Sequence, residues 1–186
     1  MSTMRFLSVV ASVLVMMTAC SREAEQAPAA ARDTAALTLQ TVLPQLQMDA
    51  DPELLLGLID QIGRLDDGSP AVLEACGRLL SHTDARVREA VLEELWFLDD
   101  ISSLLPVLTR CLYDADPDVR ALAVERIGEI EKPAAVEVLI QNLTNSVPDV
   151  PPACEEALLM AVSERLNGPE EWYQWWEENR ETLFED

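Results

Sequence analysis

Few side chains in this sequence have the type and spacing to carry out chemistry. His82 is the single histidine. It falls in a turn between two helical stretches and has no Cys-x-x-Cys or His-x-x-x-His companion, so neither a zinc site nor a nucleophilic triad can be assembled around it. It reads as an exposed turn residue. Cys76, Cys111 and Cys154 each lie among apolar neighbours in helical stretches and read as small buried hydrophobes. A Cys76 to Cys111 bridge, leaving Cys154 unpaired, is the alternative in an oxidising compartment. Asp114-Ala115-Asp116-Pro117-Asp118, with Glu125 eleven residues past Asp114, has the carboxylate density of a calcium loop. However, Val119 stands where such a loop needs glycine, and Pro117 signals that a helix is already starting. No metal and no cofactor are expected.

The elements that must position these residues emerge from an internal repeat. Asp51 to Asp67, Asp84 to Asp100 and Asp116 to Ile130 align without gaps at offsets of about 33 and 32 residues. In each, apolar residues recur at helical spacing, as in Val87, Val91 with Leu92, Leu95 and Leu98. Asp51-Pro52 and Asp116-Pro117 place a capping carboxylate before a proline whose missing N–H is harmless in a first helical turn. Partner helices are expected over about Ala35 to Met48, Pro70 to Ser81, Ser102 to Tyr113 and Pro133 to Thr144. The short connections make consecutive helices antiparallel neighbours. A degenerate fourth unit continues from Asp149 to Leu166. In the tail, Trp172, Trp175 and Trp176 share one face of a last helix opened by Pro169, which is expected to close the end of the stack or, alternatively, to dock a partner.

The repeated opening Asp-x-x-Val-Arg and the apolar-Gly-x-apolar close resemble the HEAT family, specifically the short bacterial variety found in phycobilisome-lyase-type repeats. The resemblance covers about residues 35 to 166. It implies an all-α fold, a right-handed α-solenoid of about four HEAT-like antiparallel helix pairs plus a C-terminal capping helix. It also implies that Arg88 and Arg120, with Asp84 and Asp116, form a ladder between neighbouring units. Terminal units are expected to depart from the pattern, as caps do. The tail from Gly168 to Asn179 resembles a tryptophan-rich ending that often follows such repeats in bacterial envelope proteins.

The first 20 residues differ from the rest: Arg5 is their only charge, and Phe6 to Met17 is a mostly apolar run too short to span a bilayer. Met17-Thr18-Ala19-Cys20 resembles the bacterial lipobox. The implied organisation is a lipoprotein signal peptide over 1–19, a flexible tether over 20–34 with lipidated Cys20, and a repeat domain over 35–186. Ser21 after the lipidated position resembles the outer-membrane sorting signal, so the expected placement is in the bacterial cell envelope, lipid-anchored and facing the periplasm.

Charge narrows the function. With 34 acidic against 13 basic side chains, the formal charge is −21, a field that repels phosphate backbones and excludes nucleic acid as a partner. The same scaffold hosts lyases and glycosylases, but a glycosylase needs a basic groove, and no cluster of acid, base and nucleophile is visible. The expected function is a protein-interaction scaffold for a basic or aromatic partner segment, the alternative being a purely structural envelope component. The local anomaly is Trp96-Phe97, aligned with Gly63-Arg64 and Gly128-Glu129. With Glu93, Glu94, Gln61 and Arg126 on the same helical face, this pair is expected to form an aromatic anchor in an acidic groove.

Overall fold

The computed structural model describes residues 39–65 and 68–184. Cys20, the leader and the tether lie outside the described residues. Residues 39 and 40, which end a first compact unit (Met1–Gln40), are helical; the second unit, Thr41–Asp186, holds the elements that follow. It begins with a 3-10 turn, Leu43–Gln45, and continues through α1 (Pro52–Ile59), α2 (Ile62–Leu65), α3 (Pro70–Leu79), α4 (Ala85–Glu94), α5 (Leu105–Cys111), α6 (Pro117–Gly128), α7 (Pro133–Gln141), α8 (Val150–Val162) and α9 (Pro169–Asn179). Three more 3-10 turns, Leu95–Phe97, Ser102–Leu104 and Asn142–Thr144, extend α4, precede α5 and extend α7. Among the described residues there is no strand, and no helix is long and apolar enough to cross a membrane.

Local chemistry sets most of the helix starts. Asp51, Asp84 and Asp116 each accept a backbone N–H from two residues ahead, satisfying a donor that the first helical turn leaves free. Proline at the first or second position opens α1, α3, α5, α6, α7, α8 and α9, where its lost N–H removes no helical hydrogen bond. Ser163, in the left-handed conformation at φ 58°, ends α8.

The helices pair as an all-α solenoid. The second helices of successive units, α1, α4, α6 and α8, pack side by side, while α3, α5 and α7 each lie against the second helix of their own unit. The core runs along the seam between the two rows: Leu55, Val72, Val87, Val91, Leu92, Leu108, Val119, Ile127, Leu139 and Leu158 are all within 1% of full burial. The last helix packs against the stack through its tryptophans. Trp172 is 1% exposed and Trp176 7%, Trp175 meets Trp172 edge-to-face with centroids 5.9 Å apart, and α9 packs on α7.

The ladder between units exists, with different carboxylates from those expected. Arg88 donates to Asp114 through Nε (2.8 Å) and Nη2 (2.6 Å), and Nη1 donates to the carbonyls of His82 (2.7 Å) and Thr83 (3.3 Å). Arg120 repeats the scheme one unit on, donating through Nε to Asp149 (3.1 Å) and through Nη1 to the carbonyls of Asp114 (2.8 Å) and Ala115 (3.2 Å). Each arginine therefore clamps the turn that precedes its own helix to the carboxylate of the next turn. Asp84 and Asp116 are not rungs, because their oxygens are engaged in capping α4 and α6. In the first unit Leu55 replaces the arginine, and the exposed pair Arg86–Glu53 (2.7 Å) joins units one and two instead.

His82 also departs from expectation. It is 5% exposed. Its Nδ1 accepts the Asp84 N–H at 3.1 Å, which folds the ring against its own turn and out of water. Asp114 and Asn145 hold the matching places in the next two turns, each accepting the N–H two residues on at 2.9 Å. His82 is the first member of a structural series. The three cysteines are buried free thiols, and Cys76 and Cys111 are not bridged. Burial pushes the thiols of Cys76, Cys111 and Cys154 up to about 12, 11 and 12.

Candidate interaction surface

Six residues were expected to line one face, and the structure divides them into two groups. Trp96 and Phe97, in the 3-10 turn that ends α4, are 60% and 62% exposed. Gln61 and Glu93 are exposed as well, and Gln61, in the turn between α1 and α2, donates to the Gly57 carbonyl of α1. Glu94 and Arg126, by contrast, are 8% and 4% exposed and belong to the support beneath the aromatic pair rather than to a free surface.

Gln61, Glu94 and Arg126 occupy one register position in three consecutive units, and the last two meet the preceding unit there while Gln61 stays exposed. Glu94 Oε1 accepts the Gly63 N–H at 2.6 Å, satisfying a backbone donor in the first turn of α2. A β-carbon on Gly63 would lie 2.6 Å from that oxygen and 2.7 Å from the Phe97 Cβ, so glycine is required for α2 and the aromatic turn to meet. Arg126 lies under Trp96, its Cζ 4.8 Å from the ring centroid. Its Nη2 is 3.2 Å from Glu125 and its Nη1 2.9 Å from Glu129, and its buried Nε has no hydrogen-bond partner. The indole thus roofs a buried guanidinium while its other face meets water.

One unit further along the same row, the pattern reverts to glycine. A β-carbon on Gly128 would be 3.2 Å from that of Ala157, so α6 and α8 approach closely at this point. Between these helices lies a cavity of about 720 Å³, with Ala121, Gly128, Ala153 and Ala157 among its lining and Met160 and Phe184 at its wall. Glu125, Glu129, Glu131 and Glu156 contribute its charge, and no Lys or Arg lines it. Burial raises the Glu129 carboxyl above the usual range, against the lowering effect of Arg126. On the first-helix row a second cleft, of about 620 Å³, carries Arg78 and Arg110 beside Glu74. The two clefts therefore differ in charge.

The stretch with calcium-loop spacing does not form a loop. Asp114 is clamped to Arg88, Asp116 caps α6, and Glu125 lies two turns inside that helix. Carboxylate oxygens of Glu89, Asp116 and Asp118 do gather within 4.8 Å of one another. Burial, followed by the charges of Asp116 and Asp118, raises the Glu89 carboxyl.

Sequence reasoning missed Asp114 and Asp149 as rungs. The signal for Asp114 was available, since it precedes Asp116 by the same two residues as His82 precedes Asp84. The burial of Arg126 had no comparable signal, because it depends on the tryptophan of the preceding unit.

Comparisons with known proteins agree with this architecture. The family model "HEAT repeat" matches residues 104–132, which span the end of the Ser102–Leu104 turn, α5, α6 and the turn after it. The structure of human deoxyhypusine hydroxylase in complex with glycerol is similar, with a TM-score of 0.57 and 20% sequence identity over 73% of this chain. The match takes in 49% of that protein, so the chain spans about half its length, and the likeness shows the fold alone. No curated protein matches the chain in sequence.

Proposed function

We propose that this protein is a non-catalytic scaffold of the bacterial cell envelope, tethered through a lipid on Cys20 and facing the periplasm, which holds a basic or aromatic segment of another protein on its second-helix row. The observation that carries this reading is the exposure of Trp96 and Phe97 on a supported turn. Two adjacent aromatic side chains more than half open to water are expensive to solvate, and aromatic residues of this kind dominate binding energy where a partner covers them. Their support is built in advance, by Arg126 beneath the indole and Gly63 beneath Phe97. A bracing role without a ligand surface would not call for that arrangement.

Holding rather than transforming a partner is also what the reactive groups favour. The histidine is engaged in its own turn, and thiols with values of 11 to 12 supply almost no thiolate near neutral pH.

The test is cross-linking in the native envelope with the full-length chain and with the double substitution Trp96→Ala, Phe97→Ala. Loss of a reproducible cross-linked protein in the double variant, at equal abundance of the folded chain, is the expected result. Unchanged recovery would remove the aromatic pair from the interface.

A further inference from the structure

We propose that the cavity along the seam of α6 and α8 is the seat for an amphipathic helix of the partner, laying its apolar face over that seam and placing lysines or arginines against the four glutamates at its edge. This inference rests on the scaffold reading and gives it a second contact point with a defined partner chemistry.

Size and lining come first. At about 720 Å³ the cavity falls in the range of about 300–1,000 Å³ typical of ligand-holding clefts. Its helices present Ala121, Ala153 and Ala157 with Gly128, so small side chains make up much of the lining along the seam. Met160 is 74% exposed and Phe184 41%, which leaves two large apolar side chains at the wall facing water. Methionine is well suited to shape itself to an apolar face.

Charge complementarity selects the occupant. Glu125, Glu129, Glu131 and Glu156 surround an apolar lining that contains no cation, on a chain of charge −21. An anionic headgroup or a phosphate chain would be repelled, whereas a cationic segment lowers the repulsion among these carboxylates. Glu125 and Glu129 are already positioned by Arg126, the same guanidinium that supports Trp96. The acidic edge and the exposed aromatic pair are thus built on one side chain.

Backbone chemistry selects a helix over an extended peptide. The lining comes largely from α6 and α8, whose main-chain groups are engaged within their own helices, and the described residues contain no strand edge for a peptide to extend. A segment docking here has to satisfy its own backbone, as a helix does.

A synthetic helical peptide of about five turns, or about 18 residues at 3.6 per turn, with leucines on one face flanked by lysines, tests this on the full-length protein by fluorescence anisotropy. Two control peptides accompany it: one of identical composition with the pattern scrambled, and one with the lysines replaced by glutamates. The patterned basic peptide is expected to bind at least about tenfold more tightly than either control, a difference worth about 1.4 kcal/mol. Met160→Asp, at an exposed position where the melting temperature is expected to hold, is expected to weaken it about tenfold, and Glu156→Lys to weaken it with a smaller salt dependence. Equal binding of the scrambled peptide, or full binding to both variants, overturns the proposal. The Trp96→Ala, Phe97→Ala variant separates the two readings. If it retains peptide binding while partner capture in cells is unchanged, the helix seat stands and the aromatic anchor falls. If Met160→Asp leaves the peptide bound while the double variant loses cellular capture, the reverse holds.

Discussion

The second helices of the two central units begin alike and end differently. Both α4 and α6 open on a capping aspartate and carry, four residues later, an arginine that clamps two turns together. At their far ends, α6 closes on a glycine that lets Ala157 approach, while α4 runs into Trp96, which stands over a buried arginine of the next unit. The openings have the redundancy expected of a structural device. The far ends are where one unit could change without disturbing the stack, because the change is absorbed by a single facing side chain.

That contrast can be broken most forcefully at the shared end. Arg88 and Asp114 are 11% and 13% exposed, so Arg88→Ala strands a largely buried carboxylate and two carbonyl acceptors; a loss of about 3 kcal/mol is expected in urea unfolding. The corresponding Arg120→Ala faces an aspartate that is 46% exposed and is expected to cost less in the same measurement. Equal losses would mean that exposure does not distinguish the two rungs.

At the far ends, two glycine substitutions sharpen the comparison. Gly63→Ala places a β-carbon 2.7 Å from the Cβ of Phe97, a contact that must be relieved by moving the aromatic turn, and should destabilise by about 2 kcal/mol despite the better helix propensity of alanine. Gly128→Ala meets Ala157 at 3.2 Å, where a shift of a few tenths of an ångström suffices, and the gain in propensity should hold the net change within about 0.5 kcal/mol. Chevron or equilibrium melts of the two variants give the ordering. Trp96→Ala should alter stability still less than Gly63→Ala, since the ring is 60% exposed, with the lost cation–π contact worth about 1 kcal/mol.

The smallest effect expected is the pH dependence. Asp84, Asp100 and Asp149 are held below the usual aspartate value of 3.8, by hydrogen bonds from Arg86, Ser102 and Arg120 respectively. Their contribution is complete above that value and disappears as the pH falls through the lowered native values. Glu89 and Glu129 have the opposite sign: burial raises both above 4.5, so their charge opposes folding at neutral pH and that penalty fades as they protonate. Thermal melts should therefore show a slight gain on acidification from about pH 7 towards 5 and a loss below about pH 4. A monotonic fall from neutrality would show that the raised glutamates contribute nothing.

The solenoid was legible in the sequence because the repeat imposes its own register: once Asp84 and Asp116 align, the helix starts, the apolar seam and the exposed position of Phe97 follow from arithmetic. The ladder's acceptors were half legible. Leu55 replaces the arginine of the first unit, so the turn of the second unit needs no acidic rung, and histidine stands there while Asp114 stands in the next. Reading the arginine and the turn residue as a pair, one unit apart, identifies that acceptor. Glu94 and Arg126 were misplaced for a different reason. Helical spacing assigns a residue to a face, but whether that face is covered depends on the neighbouring unit. Here a tryptophan replaced a glycine and covered it.

The buried thiols have a consequence for how the stack comes apart. Cys76, Cys111 and Cys154 belong to the second, third and fourth helix pairs, and each is shielded by the core around it. In an array where a layer touches only its neighbours, opening can start at an end and spread inwards without global unfolding. An alkylating reagent meets almost no thiolate until a given layer opens, so the three cysteines act as three clocks on one chain. The order in which they stop records the direction in which the protein unravels.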